Sequence, residues 1–146
     1  MTLRVAHLRP GDDISPAFEV RQRVFQQEQG ISAEADFDGL DHQAEQFVAY
    51  EDDLAVGTGR YRIVEDKVGK VERVAVLGEY RGRKVGGAIM EIIAETAKEQ
   101  GLGKLVLDAQ LSASKFYENL GYKTDGEVFE EVGIPHVVMS LDLNKE

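Results

Sequence analysis

The sequence predicts a mixed α/β (α+β) chain built on one central mixed β-sheet with helices packed on both faces. Three observations predict it. The first half carries apolar segments broken by short polar turns, which read as an antiparallel meander. The second half alternates strand-like and helix-like patterns. No internal repeat, low-complexity tract or Pro/Gly/Ser linker divides the 146 residues. At 42% hydrophobic, a chain of this length fills one core without a disulfide or metal staple, so a single domain over residues 1–146 is expected.

Each element has a local cause. Leu3 to His7 reads as a short strand. Ser15-Pro16 then supplies an N-cap with proline at the first helical position. Ala17, Val20 and Val24 share a helical face, widened by Phe18 and Phe25, up to a stop near Gly30. Ile31 to Ala44 reads as a loop or a second short helix. Phe47 to Tyr50, the acidic turn Glu51-Asp52-Asp53 and Leu54 to Val64 form a hairpin, and Glu65-Asp66-Lys67 turns into a third strand ending at Leu77. A helix from about Gly86 points Ile89, Ile92, Ile93 and Ala97 inward and ends at Gly101. Leu105-Val106-Leu107 is a buried strand, followed by a short helix from about Ser112 with Gly121 at its C′ position. Tyr122 to Glu130 and Val137 to Leu143 complete the order βα(α)βββαβαββ as strands.

Composition excludes several function classes. Cysteine is absent, which removes a disulfide framework, a thiolate nucleophile and a cysteine zinc site, and fits a reducing cytosol. No apolar run follows the early Arg4 and no stretch is long enough to cross a bilayer, so a soluble, cytoplasmic protein without a membrane partner is expected. A net charge of −10 argues against a nucleic-acid interface. Between Glu28 and Asp53 stand nine acids and no Lys or Arg, either a solvated acidic loop or a field that steers a cationic amine. Metal binding is not expected: no His pair has ligand spacing, and Asp36, Asp38 and Asp41 lack the calcium-loop pattern.

The stretch Val71 to Met90 joins an alternating strand, a basic glycine-punctuated turn and a helix start. This is the chemistry of an anion cradle. Amides at a helix entrance lack intrahelical acceptors and sit at the positive end of the dipole, while Arg81, Arg83 and Lys84 add charge beside Gly82, Gly86 and Gly87. A Walker A loop is excluded, because Gly87, Ala88 and Ile89 follow Gly86 where Lys and a hydroxyl are required. A dinucleotide fingerprint is excluded too: Gly57-Thr58-Gly59 runs on into a strand, where glycines mark a bulge or a close approach by a neighbour.

What remains, Arg83-x-x-Gly86-x-Ala88, resembles the acyl-CoA signature of the GCN5-related N-acetyltransferase (GNAT) family. Gln110-x-x-Ala113-x-x-Phe116-Tyr117-x-x-x-Gly121-Tyr122 resembles that family's second motif at the same spacing, with Gln110 where the broad family often has Asn. Arg21-x-x-Val24-Phe25-x-x-Glu28-Gln29 and Gly133-Ile134-Pro135-His136-x-x-Met139 resemble the ElaA/YjcF-type branch, which also has Gln at the position of Gln110. The resemblance spans about residues 20 to 140. It implies a sheet whose fourth and fifth strands splay apart to admit pantetheine. It further implies that Val74, Ala75 and Val76 pair with pantetheine amides and that Arg83, Lys84, Val85, Gly86, Gly87 and Ala88, beside Arg81, hold the diphosphate of acetyl-CoA. Gln110 and Phe116 join the donor side by the same carry-over.

Acetyl transfer to an amine needs a neutral amine, stabilisation of the developing oxyanion and a proton for the departing thiolate. Tyr117 is the candidate acid, as the resemblance implies for the equivalent tyrosine. Glu72 is a candidate base because period-two alternation puts it on the strand face of Val74 and Val76; the alternative is a strand-edge ion pair. Glu28 is the next candidate base. His136, entering the last strand after Ile134-Pro135, is a candidate acceptor binder or proton relay. Arg21, Phe25, Glu28 and Gln29 are expected near the acceptor, Arg21 either in an ion pair with the acidic segment or on an acceptor's carboxylate or phosphate. With no cysteine to carry an acetyl-enzyme, direct transfer to a small-molecule amine in a ternary complex is expected. Protein lysine or N-terminal acetylation and a non-catalytic acyl-CoA-binding module are the alternatives. Family analogy admits a homodimer.

Overall fold

The computed structural model describes residues 2–144; positions 1, 145 and 146 of the expected domain lie outside the described residues. The chain forms β1 (Leu3–Leu8), α1 (Ser15–Arg21), a π-helical turn (Gln22–Glu28), α2 (Ala33–Asp36), β2 (Glu45–Glu51), β3 (Leu54–Glu65), β4 (Val68–Val76), α3 (Val85–Glu99), β5 (Lys104–Gln110), α4 (Ser114–Asn119), β6 (Lys123–Thr124), β7 (Phe129–Glu131) and β8 (Ile134–Asp142). Short 3₁₀ turns stand at Asp41–Gln43, Gly78–Tyr80 and Leu111–Ala113. The strands form one mixed sheet in the order β1-β2-β3-β4-β5-β8-β6, with β7 also on β8. The parallel pair is β4 with β5, from Val68↔Lys104 to Val71↔Leu107.

Internal contacts divide the chain into two compact units, and β3, β4 and α3 each contribute residues to both. The first comprises the residues up to Arg62 with Arg73–Ile93. Its β1–β2–β3 meander is antiparallel, with a bulge where Ala49 pairs Gly57 and Tyr50 pairs Ala55. Both readings of Gly57 and Gly59 hold. A Cβ on Gly57 would stand 2.8 Å from Ile89 Cδ1 and 2.9 Å from Val85 Cγ1, and one on Gly59 would stand 3.2 Å from Ile89 Cγ2. The glycines let α3 lie close on β3 and bury Ile89 and Ile93.

The second unit comprises Ile63–Glu72 with Ala94 onward. Here β5 pairs β8 along its whole length, and its alternating burial makes Leu105, Leu107 and Ala109 core residues. Two helix ends are closed as the glycines predict. After α3, Gly101 N–H bonds Lys98 C=O and Leu102 N–H bonds Ala97 C=O; after α4, Gly121 N–H bonds Glu118 C=O and Tyr122 N–H bonds Tyr117 C=O. Gly101 and Gly121 take the left-handed φ of 83° and 98° that this capping motif needs.

Three local expectations are corrected. Ile14, not Ser15, is the N-cap of α1; the Ser15 hydroxyl instead donates to Asp13 Oδ1 at 2.5 Å. The helix does not run uniformly toward Gly30 but widens into the π-helical turn, with Gln29 N–H bonded five residues back to Val24 C=O and adjacent Val24 and Phe25 both buried. Tyr122 to Glu130 is no continuous strand: β6 stops at Thr124, and Gly126, at φ 124°, stands in the loop before β7.

Candidate active site

The basic turn is built by left-handed residues. Gly82 has φ 77° and Lys84 φ 65°, so the chain turns on either side of Arg83 and enters α3 at once. The first helical rung is Ala88 N–H to Lys84 C=O at 3.1 Å, which leaves the amides of Val85, Gly86 and Gly87 without intrahelical acceptors at the positive helix end. A Cβ on Gly87 would meet no heavy atom within 4 Å. The protein's own packing therefore does not require that glycine, and the open space beside these amides fits the close approach of a diphosphate.

The three basic side chains differ in their engagements. Arg81 is half exposed and already engaged: its Nη atoms form a two-pronged pair with Glu28, the second prong at 2.8 Å, and its Nε donates to Val76 C=O at 3.1 Å. That hydrogen bond holds the Glu28 carboxyl below the usual carboxylate range, and so makes Glu28 a poorer base than an unpaired acid. Arg83 lies 5.2 Å over the Tyr80 ring and 4.0 Å from Glu51. Lys84 is exposed.

Three acids of the block, Asp36, Asp38 and Asp41, are held in ion pairs, whereas Glu34, Asp52 and Asp53 are exposed. Arg21, 1% exposed, bonds Asp36 at 3.2 Å and Asp41 at 2.7 Å. Arg60, fully buried on β3, bonds Asp41 at 2.7 Å and Asp38 at 2.5 Å. Arg73 reaches Asp36 at 3.1 Å and Asp38 at 3.3 Å, while Gln46 donates to Asp41. Three guanidinium groups thus balance three carboxylates. Burial, the largest single influence on Asp38, opposes its ionisation, but the hydrogen bonds from Arg60 and the Leu40 N–H together with the charges of Arg60 and Arg73 outweigh it and hold the carboxyl at about 2; Asp41 is lowered in the same way by Arg21 and Arg60 together. Elsewhere in the block His7 takes Glu45 at 2.7 Å. Of the two roles left open for Arg21, the structure shows the ion pair. Phe25, expected at the acceptor, is 8% exposed, and Gln29 ends the π-helical turn.

Five site candidates lie in the second unit. Glu72 stands 4.0 Å from Lys70, whose ammonium also meets Asp108 at 3.2 Å. The period-two step from Glu72 to Val74 is interrupted, because Arg73 between them has φ 58°. Gln110 on β5 is the backbone partner of His136 on β8, and Phe129 on β7 pairs His136 from the other side. The ring of Phe129 stacks on the imidazole at 5.8 Å. His136 Nδ1 lies 2.7 Å from the Ile134 carbonyl, an acceptor only, so the proton sits on Nδ1 and Nε2 carries the lone pair of the neutral ring. Tyr117 on α4 packs edge-on against Phe116 and Tyr122, and burial pushes its phenol up to about 12. Tyr122 is 3% exposed and its hydroxyl is buried without a partner among the described residues. Tyr122 is marked in the sequence only by its place in the second motif, and Arg60 and Arg73 only as arginines in apolar strands. Among the described residues no group of three or more His, Asp or Glu is placed to hold a metal, and no helix is long and apolar enough to cross a membrane.

Comparison with known proteins bears on the whole chain. The acetyltransferase (GNAT) domain profile matches residues 17–143. The uncharacterized N-acetyltransferase YjcF of Bacillus subtilis (strain 168) is 39% identical over 132 residues, 90% of this chain and 94% of that protein. A candidate N-acetyltransferase of Lactobacillus plantarum superposes with a TM-score of 0.90 at 31% identity, over 98% of this chain and 99% of its own. Escherichia coli ElaA superposes with a TM-score of 0.85 at 27% identity, over 95% of this chain and 99% of its own.

Proposed function

Since the chain belongs to the GNAT family, in the branch of YjcF and ElaA, and is an acetyl-CoA-dependent N-acetyltransferase, we propose that it acetylates a primary amine of a small molecule by direct transfer in a ternary complex. The observation that carries the donor side is the helix entrance, where three amides without intrahelical acceptors and the open space at Gly87 adjoin Arg83 and Lys84. In this reading residues 81–88 hold the diphosphate and the backbone of Val74–Val76 pairs with pantetheine. In the same reading residues 1–146 act as one domain, and a reducing cytosol is the compartment that agrees with a chain without cysteine.

Acetyl-CoA supplies the activated acetyl group: the amine nitrogen forms the C–N bond as the thioester C–S bond breaks. The amine proton passes to a base and the thiolate gains a proton. Tyr117 is our candidate donor to sulfur, because its buried phenol stays protonated through the ordinary pH range. His136 is favoured as base by its fixed tautomer, which leaves Nε2 able to accept, whereas Glu28 is held by Arg81 and Glu72 lies near Lys70. Because Arg21, Arg60 and Arg73 neutralise Asp36, Asp38 and Asp41, those acids give no reason to favour a cationic acceptor.

Coenzyme A release over a panel of small amines and lysine-bearing or free-amino-terminal peptides, with acetyl-CoA and longer acyl donors, tests the proposal. Turnover on a small primary amine is expected. Turnover on peptides alone would make the chain a protein acetyltransferase, and binding without turnover on any amine would make it an acyl-CoA-binding module.

A further inference from the structure

Arg73 is left-handed in the middle of a strand. The other non-glycine residues with positive φ among those described, Asp52, Lys67, Lys84 and Val132, stand in turns, whereas Arg73 lies inside β4 with φ 58°. Such a conformation is unfavourable for a residue with a Cβ and persists where surrounding groups over-determine it. Here they do. Nε meets Asp36 Oδ1 at 3.1 Å and donates to the Asp36 carbonyl at 3.2 Å, and Nη2 donates to Asp38 Oδ2 at 3.3 Å and to the Ala35 carbonyl at 3.4 Å. Neither carboxylate is free to follow Arg73. Asp36 is also held by buried Arg21 of α1, and Asp38 by buried Arg60 of β3.

The residues after Arg73 are Val74, Ala75 and Val76, and the parallel ladder of β4 with β5 covers only Val68 to Val71. We infer that Arg73 is a positioning residue for the acyl donor: its clamp to Asp36 and Asp38 fixes the direction of the Val74–Val76 backbone and locks segment 33–41 to that strand. The inference rests on the reading that Val74–Val76 receive pantetheine. Its consequence is coupling. Whatever shifts segment 33–41 shifts acetyl-CoA affinity through that strand.

Calorimetric titration with acetyl-CoA and steady-state kinetics on wild type, Asp38→Asn, Arg73→Gly and Arg73→Lys test it. Asp38→Asn leaves Asp36 and Asp41 to hold the network and is expected to fold. It should raise Kd and KM for acetyl-CoA about tenfold with little change in kcat. Arg73→Gly keeps the left-handed backbone without steric cost but removes the clamp, so it should weaken binding equally; Arg73→Lys, a cation without the fork, should recover part of the loss. Leu105→Val, a core change in the other unit, should lower the melting temperature without changing Kd. Wild-type affinity in both Asp38→Asn and Arg73→Gly would overturn the clamp while leaving the donor assignment intact. Absence of binding by wild type would overturn both.

Discussion

Two tyrosines in contact show how far the fate of a hydroxyl depends on its surroundings. Tyr117 and Tyr122 stand edge to face at 5.9 Å, fixed by the hydrogen bond that closes α4 from Tyr122 N–H to Tyr117 C=O. Replacing Tyr117 with Phe keeps the packing and removes the proposed proton donor, so kcat should fall about a hundredfold or more with acetyl-CoA affinity unchanged in calorimetry. Replacing Tyr122 with Phe should act oppositely. Its buried hydroxyl lacks a partner among the described residues, and such a group costs about 1–3 kcal/mol, so Tyr122→Phe should raise the unfolding free energy in urea by about 1 kcal/mol.

Helix α3 uses its glycine-rich surroundings in two different ways. Gly57 on β3 is a packing glycine: a methyl there would press on Ile89 and Val85 at under 3 Å, so Gly57→Ala should destabilise by about 1–3 kcal/mol. Gly87 is a vacant-space glycine inside the first turn. Alanine there meets nothing and favours the helix, so Gly87→Ala should raise stability by about 0.5–1 kcal/mol. It should nonetheless weaken acetyl-CoA binding, because the added carbon occupies the space at the amides. Melting curves and titrations of the two variants should therefore move in a pattern that no single packing effect produces.

In a chain of net charge −10, three acids, Asp36, Asp38 and Asp41, are held together by three arginines. The pairs Arg21–Asp36, Arg21–Asp41 and Arg60–Asp41 are nearly dry, and removing one partner of such a pair strands a buried charge, so Arg60→Ala should cost about 3–5 kcal/mol. The same network sets an acid limit. Asp38 is lowered from 3.8 to about 2, so the stability it contributes is fully present above pH 3.8 and is lost as pH falls through 2. Thermal melting from pH 5 to pH 2 should fall more steeply in wild type than in Asp38→Asn, whose amide has no proton to take up. Equal slopes would remove Asp38 from the acid response.

The sequence by itself determined the strand and helix order up to α4, the two glycine-closed helix ends, the close approach at Gly57 and Gly59, the basic glycine turn before α3 and the family, because these follow from spacing and backbone freedom within a few residues. Tertiary structure decided which charges are free. Glu28 meets Arg81 across 53 positions and Asp36 meets Arg73 across 37, distances over which no local pattern predicts a partner. It also decided the left-handed Arg73, a strained local state sustained by Asp36 and Asp38, which folding brings from elsewhere in the chain.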